Sequence, residues 1–425
     1  MRREDLYAVL FDQQKDFEKQ IPTVKRELAV EAIKLRALEM PIIVTGVRRC
    51  GKSFLLKLIK DELDLKYNEY LYVNFNDERF INFIVEDYQK IMDFLIENSY
   101  KENCVFFLDE IQEVLGWEKW LDRIKNRRNV FITGSNSKLL SSEISTILTG
   151  RSINLGLKPF NFREFLQARK ISYENWMVDL KQQSTLRGEF GHFLQIGGMP
   201  KRVMSGNDIV IKELYENILY RDIIKRYGKL TKQIKEISLF LLSTPASSIS
   251  LRSISLISKI KNISTVKSIL DLFENSFLFF YLNKFDYSVK VQIQNPRKIY
   301  CIDNGFLINL GFRMSEDTGR LLENLVAIEL KRRNEDIYFY TDKYECDFVL
   351  RKSNKIYSAI QVCYELNQKN EEREFNGLKD AMKKFKLKEG LILTNGQENE
   401  IKSEGKKIII KPVWKWLMEK DGKRI

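Results

Sequence analysis

The octapeptide Gly-Val-Arg-Arg-Cys-Gly-Lys-Ser at positions 46–53 constrains this chain more than any other feature of its sequence. It matches the phosphate-binding loop pattern G-x-x-x-x-G-K-S, which needs a strand before the loop and a helix after it. The helix is needed because its N-terminus offers free backbone N–H groups and a positive dipole to phosphate. Residues 42–45 are apolar and β-branched, and residues 54–60 have the pattern of a helix with a charged outer face. The sequence therefore predicts a nucleoside triphosphate site, and a chance glycine turn is the alternative.

Each position that defines this loop pattern has an expected role. Gly46 and Gly51 let the backbone curl around the β-phosphate, Lys52 reaches the β- and γ-phosphate oxygens, and the Ser53 hydroxyl ligates magnesium. We therefore predict ATP and Mg²⁺ as cofactors. The predicted nucleotide-binding residues are the loop and the residue after it, namely Gly46, Val47, Arg48, Arg49, Cys50, Gly51, Lys52, Ser53 and Phe54.

A second stretch, from Cys104 to Glu110, is an apolar run that ends in two carboxylates, as the Walker B strand of a P-loop ATPase does. We expect Asp109 to hold magnesium and Glu110 to orient and deprotonate the water that attacks the γ-phosphate. A second acid beside the first favours hydrolysis over binding alone. The alternative is that both acids cap the helix that follows, since carboxylates are favourable in a first helical turn.

Two further candidates lie near the next apolar strand, residues 129–133. The polar sequence after it contains Ser135 and Asn136, which are the candidates for sensing the γ-phosphate, and Asn136 is the predicted catalytic residue. Arg151 precedes another apolar run, residues 153–157, and is a candidate arginine finger that acts across a subunit boundary of a homo-oligomer. A solvated or ion-paired surface arginine is the alternative.

With these motifs the chain resembles a group of archaeal and bacterial AAA-type ATPases that carry a winged-helix segment and a C-terminal restriction-endonuclease-like domain. The resemblance rests on residues 46–53, Leu-Asp-Glu-Ile-Gln at 108–112, Thr-Gly-Ser-Asn-Ser-Lys-Leu-Leu at 133–140, Gly-Gly-Met-Pro at 197–200 and Tyr-Arg-Asp-Ile at 220–223. It implies an α/β fold with three domains: a P-loop AAA+ ATPase with a parallel sheet and a helical lid over residues 1–226, a winged helix over 227–312, and a PD-(D/E)xK-like α/β domain over 313–425. In similar ATPases a Gly-x-Pro turn packs near the nucleotide base, which gives Pro200 a binding role beside the ordinary one of breaking a helix.

The middle of the chain has the order of a winged helix, with three helices in residues 231–275 and a basic β-hairpin from Phe277 to Ile302. The third helix is predicted to have Ser264 as its N-cap and to read DNA from its first turn, while the hairpin, or wing, contacts the DNA backbone. The DNA-binding candidates are Thr265, Lys267 and Ser268 on the helix and Tyr287, Lys290, Arg297 and Lys298 on the wing. A domain spacer or a protein contact is the alternative role.

From Gly311 on, a helix at 318–332 is followed by strands at 337–341, 346–350 and 358–363, the order of the PD-(D/E)xK nuclease fold. In that resemblance Glu323, Asp347 and Gln361 surround a divalent cation, and a lysine two positions after the last of them activates water. Position 363 is a cysteine, and position 361 is a glutamine in place of the usual acid. We therefore expect weak or absent nuclease activity and a domain retained for contact with DNA or a partner.

The composition limits the class of protein. A length of 425 residues with 44% apolar content fits two or three domains with real cores. No run of about eighteen apolar residues is present and the first residues lack the apolar core of a signal peptide, so we predict a cytoplasmic protein without a membrane contact. The net charge of +13 indicates a polyanionic partner such as DNA, or else a lysine-rich thermophile surface. Five scattered cysteines and one histidine, His192, favour buried thiols and disfavour a zinc site, a histidine-based metal site or a serine–histidine triad.

The leading functional hypothesis is a DNA-associated ATPase that remodels DNA or translocates along it, including branched DNA. The alternative from a different class is a nucleotide-dependent switch that acts on a protein partner, in defence or in the regulation of mobile elements. The third hypothesis is an ATP-regulated, metal-dependent nuclease. Stimulation of ATP turnover by DNA separates the first hypothesis from the second, and a plasmid-nicking assay with magnesium or manganese addresses the third.

Overall fold

The computed structural model describes residues 1–134, 152–226, 228–312, 318–403 and 405–419. The chain divides into two compact units, Met1–Lys158 and Pro159–Ile425. We call them unit 1 and unit 2. Unit 1 contains the phosphate-binding loop and the two acids of the Walker B strand, and unit 2 contains the segments with the winged-helix and nuclease-like patterns.

A five-stranded parallel sheet forms the centre of unit 1, with the strand order β2-β3-β4-β1-β5. Its strands are β1 (Ile42–Thr45), β2 (Tyr70–Asn74), β3 (Val105–Asp109), β4 (Val130–Gly134) and β5 (Ile153–Gly156). The described helices are α1 (Arg3–Lys19), α2 (Glu27–Leu35), α3 (Lys52–Glu62), α4 (Asp87–Glu97) and α5 (Trp117–Ile124). Strands β1, β3 and β4 are buried along their length, as near-continuous apolar runs in a parallel sheet are. Because these three strands are neighbours and run in one direction, their carboxyl ends meet at one edge of the sheet, where α/β proteins bind ligands.

Helix α1 closes the open edge of this sheet at β2. The Gln14 side chain donates from Nε2 to the Tyr70 carbonyl at 3.2 Å and accepts from the Tyr72 N–H at 3.1 Å. Gln13 makes the same pair of bonds with Asn74, at 3.0 and 2.9 Å. An unpaired edge strand offers its free N–H and C=O groups to other chains. The two glutamines satisfy those groups on β2 and fix the strand that carries Tyr72.

Unit 2 contains two sheets. A six-stranded sheet has the order β13-β14-β12-β11-β10-β9, and a small antiparallel sheet has the order β6-β8-β7. The strands are β6 (Ser248–Ile249), β7 (Phe279–Asn283), β8 (Arg297–Cys301), β9 (Asp336–Thr341), β10 (Glu345–Lys352), β11 (Lys355–Val362), β12 (Glu389–Thr394), β13 (Asn399–Ser403) and β14 (Lys406–Pro412).

Unit 2 also contains a set of described α-helices. They are α6 (Phe162–Ala168), α7 (Leu180–Ile196), α8 (Pro200–Ser205), α9 (Ile209–Asn217), α10 (Thr231–Ser243), α11 (Leu251–Ser258), α12 (Ile263–Asn275), α13 (Val289–Gln294), α14 (Asn304–Leu310), α15 (Thr318–Arg332), α16 (Glu371–Lys384) and α17 (Val413–Met418). The Tyr-Arg-Asp-Ile motif lies in a π-helical stretch, Ile218–Ile223, that continues α9. No helix in the described part of the chain is long and apolar enough to cross a membrane.

Residues 231–301 form a helix, a strand, two helices, a strand, a short helix and a strand in that order, so the three helices predicted here are present. Two details of the prediction are wrong. The N-cap of α12 is Asn262, whose side chain accepts the backbone N–H of Ser264, because both residue types cap helices well and Asn262 comes first. The predicted hairpin between β7 and β8 carries the short helix α13 at its end.

The C-terminal sheet has a mixed arrangement. Helix α15 has the predicted bounds, and the three predicted strands overlap β9, β10 and β11. Strand β10 pairs antiparallel with both β9 and β11. Helix α16 then connects β11 to β12, and these two strands pair in parallel. The arrangement brings one face of α15 against β8 and β11, which places several polar side chains in one buried cluster.

Candidate functional site

The phosphate-binding loop leaves β1 at Thr45 and enters α3 at Lys52, as the motif requires. Gly46 has φ +154°, and a Cβ there would lie 2.2 Å from the Leu157 carbonyl oxygen. Gly51 has φ +98°, a conformation that residues with side chains rarely adopt. The two glycines of the motif are therefore needed for the path of the backbone, independently of any ligand.

Lys52 lies inside the loop. Its side chain is buried, and Nζ donates to the carbonyl oxygens of Gly46 and Val47 at 3.0 and 3.3 Å. The same Nζ is 3.9 Å from Glu110 Oε1, at the end of the neighbouring Walker B strand. The fold thus brings together the lysine that the sequence assigned to the phosphate oxygens and the acid that it assigned to the attacking water.

Asp109 is the last residue of β3, and its carboxylate is fully enclosed. It accepts hydrogen bonds from the hydroxyl groups of Thr133 and Tyr72, the latter at 3.0 Å, and from Ser53. Burial raises the pKa of Asp109 above its usual value, the nearby Glu110 carboxylate adds to the rise, and the three hydroxyl groups oppose it. The carboxylate is thus held in place by donors from three different segments of unit 1.

Glu110 follows with φ +50°, so the chain turns sharply once the strand has ended. Its backbone N–H donates to Thr133 Oγ1 at 3.1 Å, and its carboxylate accepts from the Gln112 side chain. Thr133 therefore holds both acids, because its hydroxyl donates to Asp109 and accepts from Glu110. The sequence motifs assigned no role to Thr133, Tyr72 or Gln112, since a hydroxyl or amide at a strand end is common in any sequence.

Arg26 is a further residue that the sequence analysis missed. It is buried and its guanidinium donates to the Cys50 carbonyl at 2.9 Å and to the Lys158 carbonyl at 2.6 Å. It therefore ties the middle of the phosphate-binding loop to the segment after β5. No motif marks this arginine, because its two partners are backbone carbonyl groups far from it in sequence.

The residues present fit a magnesium nucleotide. The backbone of the loop packs so closely against the Leu157 carbonyl that a Cβ at Gly46 would collide with it. Asp109 and the hydroxyl of Ser53 offer hard oxygen ligands, the type that Mg²⁺ prefers. A cation beside Asp109 would offset the cost of burying its carboxylate.

The other loop positions differ in what they expose. Val47 and Cys50 are buried, so only their backbone is available to a ligand, whereas Arg48 is partly exposed and Arg49 is exposed. Phe54 is half-exposed at the start of α3. The remaining predicted catalytic residues, Asn136 with its neighbour Ser135, and Arg151, lie outside the described residues.

The Gly-Gly-Met-Pro motif of unit 2 is anchored by a buried acid. Asp303 accepts from the Gly198 N–H at 2.5 Å and from the Gly305 N–H at 2.8 Å, and a Cβ at Gly197 would meet the same carboxylate at 2.0 Å. Burial raises the pKa of Asp303 to about 7, although its backbone hydrogen bonds act in the other direction. Pro200 is the first residue of α8, and its contact with a nucleotide base remains a prediction.

The DNA-binding candidates fall into two groups. Lys267, Tyr287 and Lys290 are exposed, whereas Thr265, Ser268 and Arg297 are partly buried, and the Arg297 guanidinium lies 5.8 Å from the centre of the Tyr281 ring. Lys298 is different, because only 2% of it is exposed. Its prediction as a backbone contact is wrong: β8 is the central strand of its small sheet, and Lys298 turns into the interior of unit 2.

The three candidates of the nuclease-like pattern do come together. Glu323 on α15 and Asp347 on β10 both accept from Lys298 Nζ, at 3.0 and 3.1 Å, and the Asp347 N–H donates to Gln361 Oε1 on β11 at 3.2 Å. The sequence analysis found no lysine at position 363, yet β8 supplies one from another part of the chain. Burial, with the Glu323 charge second, raises the pKa of Asp347 to about 7. The pKa of Lys298 is raised as well, because the attraction of Glu323 and its neighbours outweighs the opposing effect of burial.

Comparison with known families places unit 1 in a class. Residues 39–166 match the family described as an AAA domain. Residues 187–317 and 318–416 match two families described as domains of unknown function, DUF8612 and DUF4143. The AAA match spans the strand before the loop, the loop and the Walker B strand. This is therefore a protein with an AAA-type P-loop domain, and the match supports ATPase activity in general.

Relatives extend over nearly the whole chain. The uncharacterised protein MJ1544 of Methanocaldococcus jannaschii is 34% identical over 398 residues, which is 88% of each chain. The chain belongs to the family of this archaeal protein. A protein of Haemophilus influenzae is 29% identical over 406 residues, 92% of this chain and 97% of that one. Among solved structures, a Walker-type ATPase of Pyrococcus abyssi is similar with a TM-score of 0.41 and 15% identity, over 69% of this chain and 99% of that chain.

Proposed function

We propose that unit 1 binds ATP with Mg²⁺ and hydrolyses it. The observation that carries this proposal is the 3.9 Å approach of Lys52 Nζ and Glu110 Oε1 at the mouth of the phosphate-binding loop, beside the buried Asp109. A lysine for the phosphate oxygens, an acid for the metal and an acid for the attacking water are the parts that phosphoryl transfer to water requires.

Each residue has a definite task in this proposal. Lys52 exchanges its bonds to the loop carbonyl groups for bonds to the β- and γ-phosphate oxygens, and Asp109 with Ser53 would hold the magnesium ion. That ion would neutralise charge that develops on the phosphate oxygens. Glu110, fixed at its N–H by Thr133 and at its carboxylate by Gln112, orients the water and takes its proton.

The remaining parts of the nucleotide site belong to the same proposal. Asn136 senses the γ-phosphate, and Arg151 acts in the site of a neighbouring subunit of a homo-oligomer. Phe54 contacts the nucleotide, and Pro200 contacts it near its base. The resemblance noted in the sequence supports these roles. Substitution of Arg151 by alanine is expected to abolish ATP turnover while ATP still binds. If the arginine acts between subunits, mixing Arg151→Ala with Glu110→Gln should restore part of the turnover, because a subunit with an intact Glu110 then meets a neighbour with an intact Arg151.

We further propose that DNA is the partner of this ATPase, and that nucleotide turnover drives remodelling of DNA or movement along it. The net charge of +13 supports this, as do the three helices and the following strand pair of residues 231–301, which resemble a winged helix apart from the short helix α13 between β7 and β8. In this proposal residues 1–226, 227–312 and 313–425 are the ATPase, winged-helix and nuclease-like domains. Lys267 and Lys290, both exposed, supply phosphate contacts.

The test is ATP turnover with and without duplex, single-stranded and branched DNA, at increasing salt. One form of DNA is expected to raise turnover, with an effect that declines as salt competes for the phosphate contacts. The double variant Lys267→Glu, Lys290→Glu should lose the stimulation and keep the basal rate, whereas Lys388→Glu, at an exposed position of the same charge, should keep both. Turnover that ignores every form of DNA would contradict the DNA part of the proposal and leave the ATPase part standing.

One surface of unit 2 favours the second candidate function, a nucleotide-dependent switch that acts on a protein. A groove of about 600 Å³ is lined by apolar side chains, among them Leu251, Ile263, Leu270 and Ile293, with two arginines, Arg252 and Arg297. Ile293 is 69% exposed. Such a surface fits an apolar protein segment with acidic side chains better than it fits a phosphate backbone.

The second candidate is tested with peptides selected from a random displayed library on the full chain. Selected peptides are expected to combine apolar and acidic residues, and their affinity should fall at least tenfold for Ile293→Asp and for Arg252→Glu. Peptides that bind these variants as well as the wild type, or selection of nothing that depends on the groove, would count against it.

A further inference from the structure

The buried cluster around Lys298 in unit 2 contains a complete set of partners for one ammonium group. Lys298 Nζ lies 3.0 Å from Glu323 Oε1, 3.1 Å from Asp347 Oδ1 and 2.8 Å from Glu345 Oε1, and its side chain is 3% exposed. A lysine ammonium has three N–H donors. Two of these carboxylates, Glu323 and Asp347, accept hydrogen bonds from Lys298, and Glu345, whose side chain is 47% exposed, adds an ion pair.

Two of these carboxylates are also held by other groups of the protein. Glu323 Oε1 accepts from the Tyr300 hydroxyl at 2.7 Å, and Asp347 Oδ2 accepts from the Val362 N–H at 2.9 Å. Gln361, which stands where the nuclease pattern has an acid, turns its Oε1 to the Asp347 N–H and its Nε2 to a glutamate, Glu374, at 2.7 Å. Gln361, the side chain that would be the third ligand of a metal, thus already has a hydrogen-bond partner at both its oxygen and its nitrogen.

The nuclease resemblance implies a divalent cation between Glu323 and Asp347, and the residues present do not fit one. An ammonium in contact with both carboxylates repels a second cation at that position. Magnesium further requires an octahedral set of oxygen ligands at about 2.0–2.1 Å. Among the residues that the structure describes, no group of three or more His, Cys, Asp or Glu side chains is arranged to hold a metal.

We infer that the Lys298 ammonium is the permanent cation of this cluster and takes the place that a divalent metal has in the nuclease pattern. Lys298 lies in the segment that matches the first domain of unknown function, and Glu323 and Asp347 lie in the segment that matches the second. The ammonium therefore fastens β8 to α15 and β10. The cluster is a structural link between two family segments, and it is not a site of DNA cleavage.

The contacts of Lys298 support this role over a catalytic one. A lysine that activates water in a nuclease must reach the water beside a metal, whereas Lys298 Nζ donates to Glu323 and Asp347 and is buried between them. Removing one partner from a buried ion pair is strongly destabilising, because an uncompensated charge remains inside the protein. The side chains of Glu323 and Asp347 would repel each other without Lys298 between them.

Thermal unfolding of the full chain tests the inference. Lys298→Met is expected to lower the midpoint of unfolding by about 10 °C, because a buried pair is broken in a unit of this size. Lys290→Met, the same change at an exposed lysine, should leave the midpoint unchanged. Adding Glu323→Gln and Asp347→Asn to Lys298→Met should recover part of the loss, since these changes remove the carboxylates that have lost their cation. A Lys298→Met midpoint equal to that of the wild type, or no recovery in the triple variant, would overturn the inference.

Manganese binding to the wild type gives an independent answer, even where Lys298→Met does not fold. The wild type and Asp347→Asn should bind Mn²⁺ with equal affinity, because in this account Asp347 is not a metal ligand. Affinity at least tenfold higher in the wild type, or plasmid nicking with Mn²⁺ that disappears in Asp347→Ala, would show that a metal occupies the cluster and would refute the role assigned to Lys298.

Discussion

Tyr72 offers a sharp test of how the Walker B acid is held, because a single oxygen atom can be removed there. The hydroxyl of Tyr72 donates to Asp109 Oδ2 at 3.0 Å, and its ring stacks on Phe17 with 3.9 Å between the ring centres. The change Tyr72→Phe keeps the stacked ring and deletes only the donor. Its effect therefore reports on the Asp109 carboxylate and not on the packing of β2 against α1.

The size of the effect follows from the contact. A hydrogen bond to a charged group contributes about 1.5–3 kcal/mol, and one pKa unit corresponds to about 1.4 kcal/mol. The Tyr72 hydroxyl stabilises the charged form of Asp109 and so lowers its pKa. Its loss should therefore raise that pKa, because the charged form loses a stabilising contact of about 1.5–3 kcal/mol. Asp109 holds magnesium only as a carboxylate, so the acid limb of the pH profile should move to higher pH.

The assay is kcat/KM for ATP hydrolysis as a function of pH, which reports the ionisation of the free enzyme. Tyr70→Phe is the matched control, since Tyr70 lies two residues earlier on the same strand and its hydroxyl donates at 2.6 Å to a different acid, Glu18. Tyr72→Phe should shift the acid limb to higher pH, and Tyr70→Phe should leave it in place. An unchanged profile in Tyr72→Phe, or an equal shift in both variants, would refute the reasoning.

Two further predictions concern unit 2. Gly197→Ala should lower the free energy of unfolding by about 3 kcal/mol or more, because Gly197 has φ +74° and a Cβ would lie 2.0 Å from Asp303 Oδ1. Gly188→Ala, in the open middle of α7, should raise it by about 0.5–1 kcal/mol. Chemical denaturation measures both values, and similar values for the two variants would contradict the structure. The pKa of Asp303 is raised from 3.8 to about 7, so the folded state holds a proton that the unfolded state has lost, and stability should fall by up to about 4 kcal/mol as pH rises from 4 to 7. Asp303→Asn should flatten this part of the stability profile, and a profile as steep as that of the wild type would show that Asp303 is not the group responsible.

The geometry of the phosphate-binding loop and of the Walker B strand was largely predictable because its signals are local. Eight consecutive residues specify the phosphate-binding loop, and an apolar strand ending in Asp109 and Glu110 specifies the second half of the site. The contacts that complete it are not local. Tyr72 is 37 residues from Asp109, and Arg26 is 24 residues from Cys50, so only the folded sheet brings them together.

Lys298 shows why the rest of unit 2 was harder to predict. In a basic hairpin a lysine is expected on the surface, and the sequence around β8 gives no sign that this strand is central in its sheet. Its carboxylate partners, Glu323 and Asp347, are 25 and 49 residues away. A buried charge is tolerated only where such partners exist, and their position depends on tertiary structure. The absence of lysine at position 363 was read correctly from the sequence, but the lysine supplied from β8 could not be.

The central claim is that Glu110 is the base of an ATPase, and ATP turnover by the wild type and Glu110→Gln tests it most directly. Glu113→Gln, an exposed acid three residues further on, is the matched control. The account predicts that Glu110→Gln loses about a hundredfold or more of the turnover and still binds ATP, while Glu113→Gln resembles the wild type. Turnover in Glu110→Gln equal to that of the wild type would contradict the account.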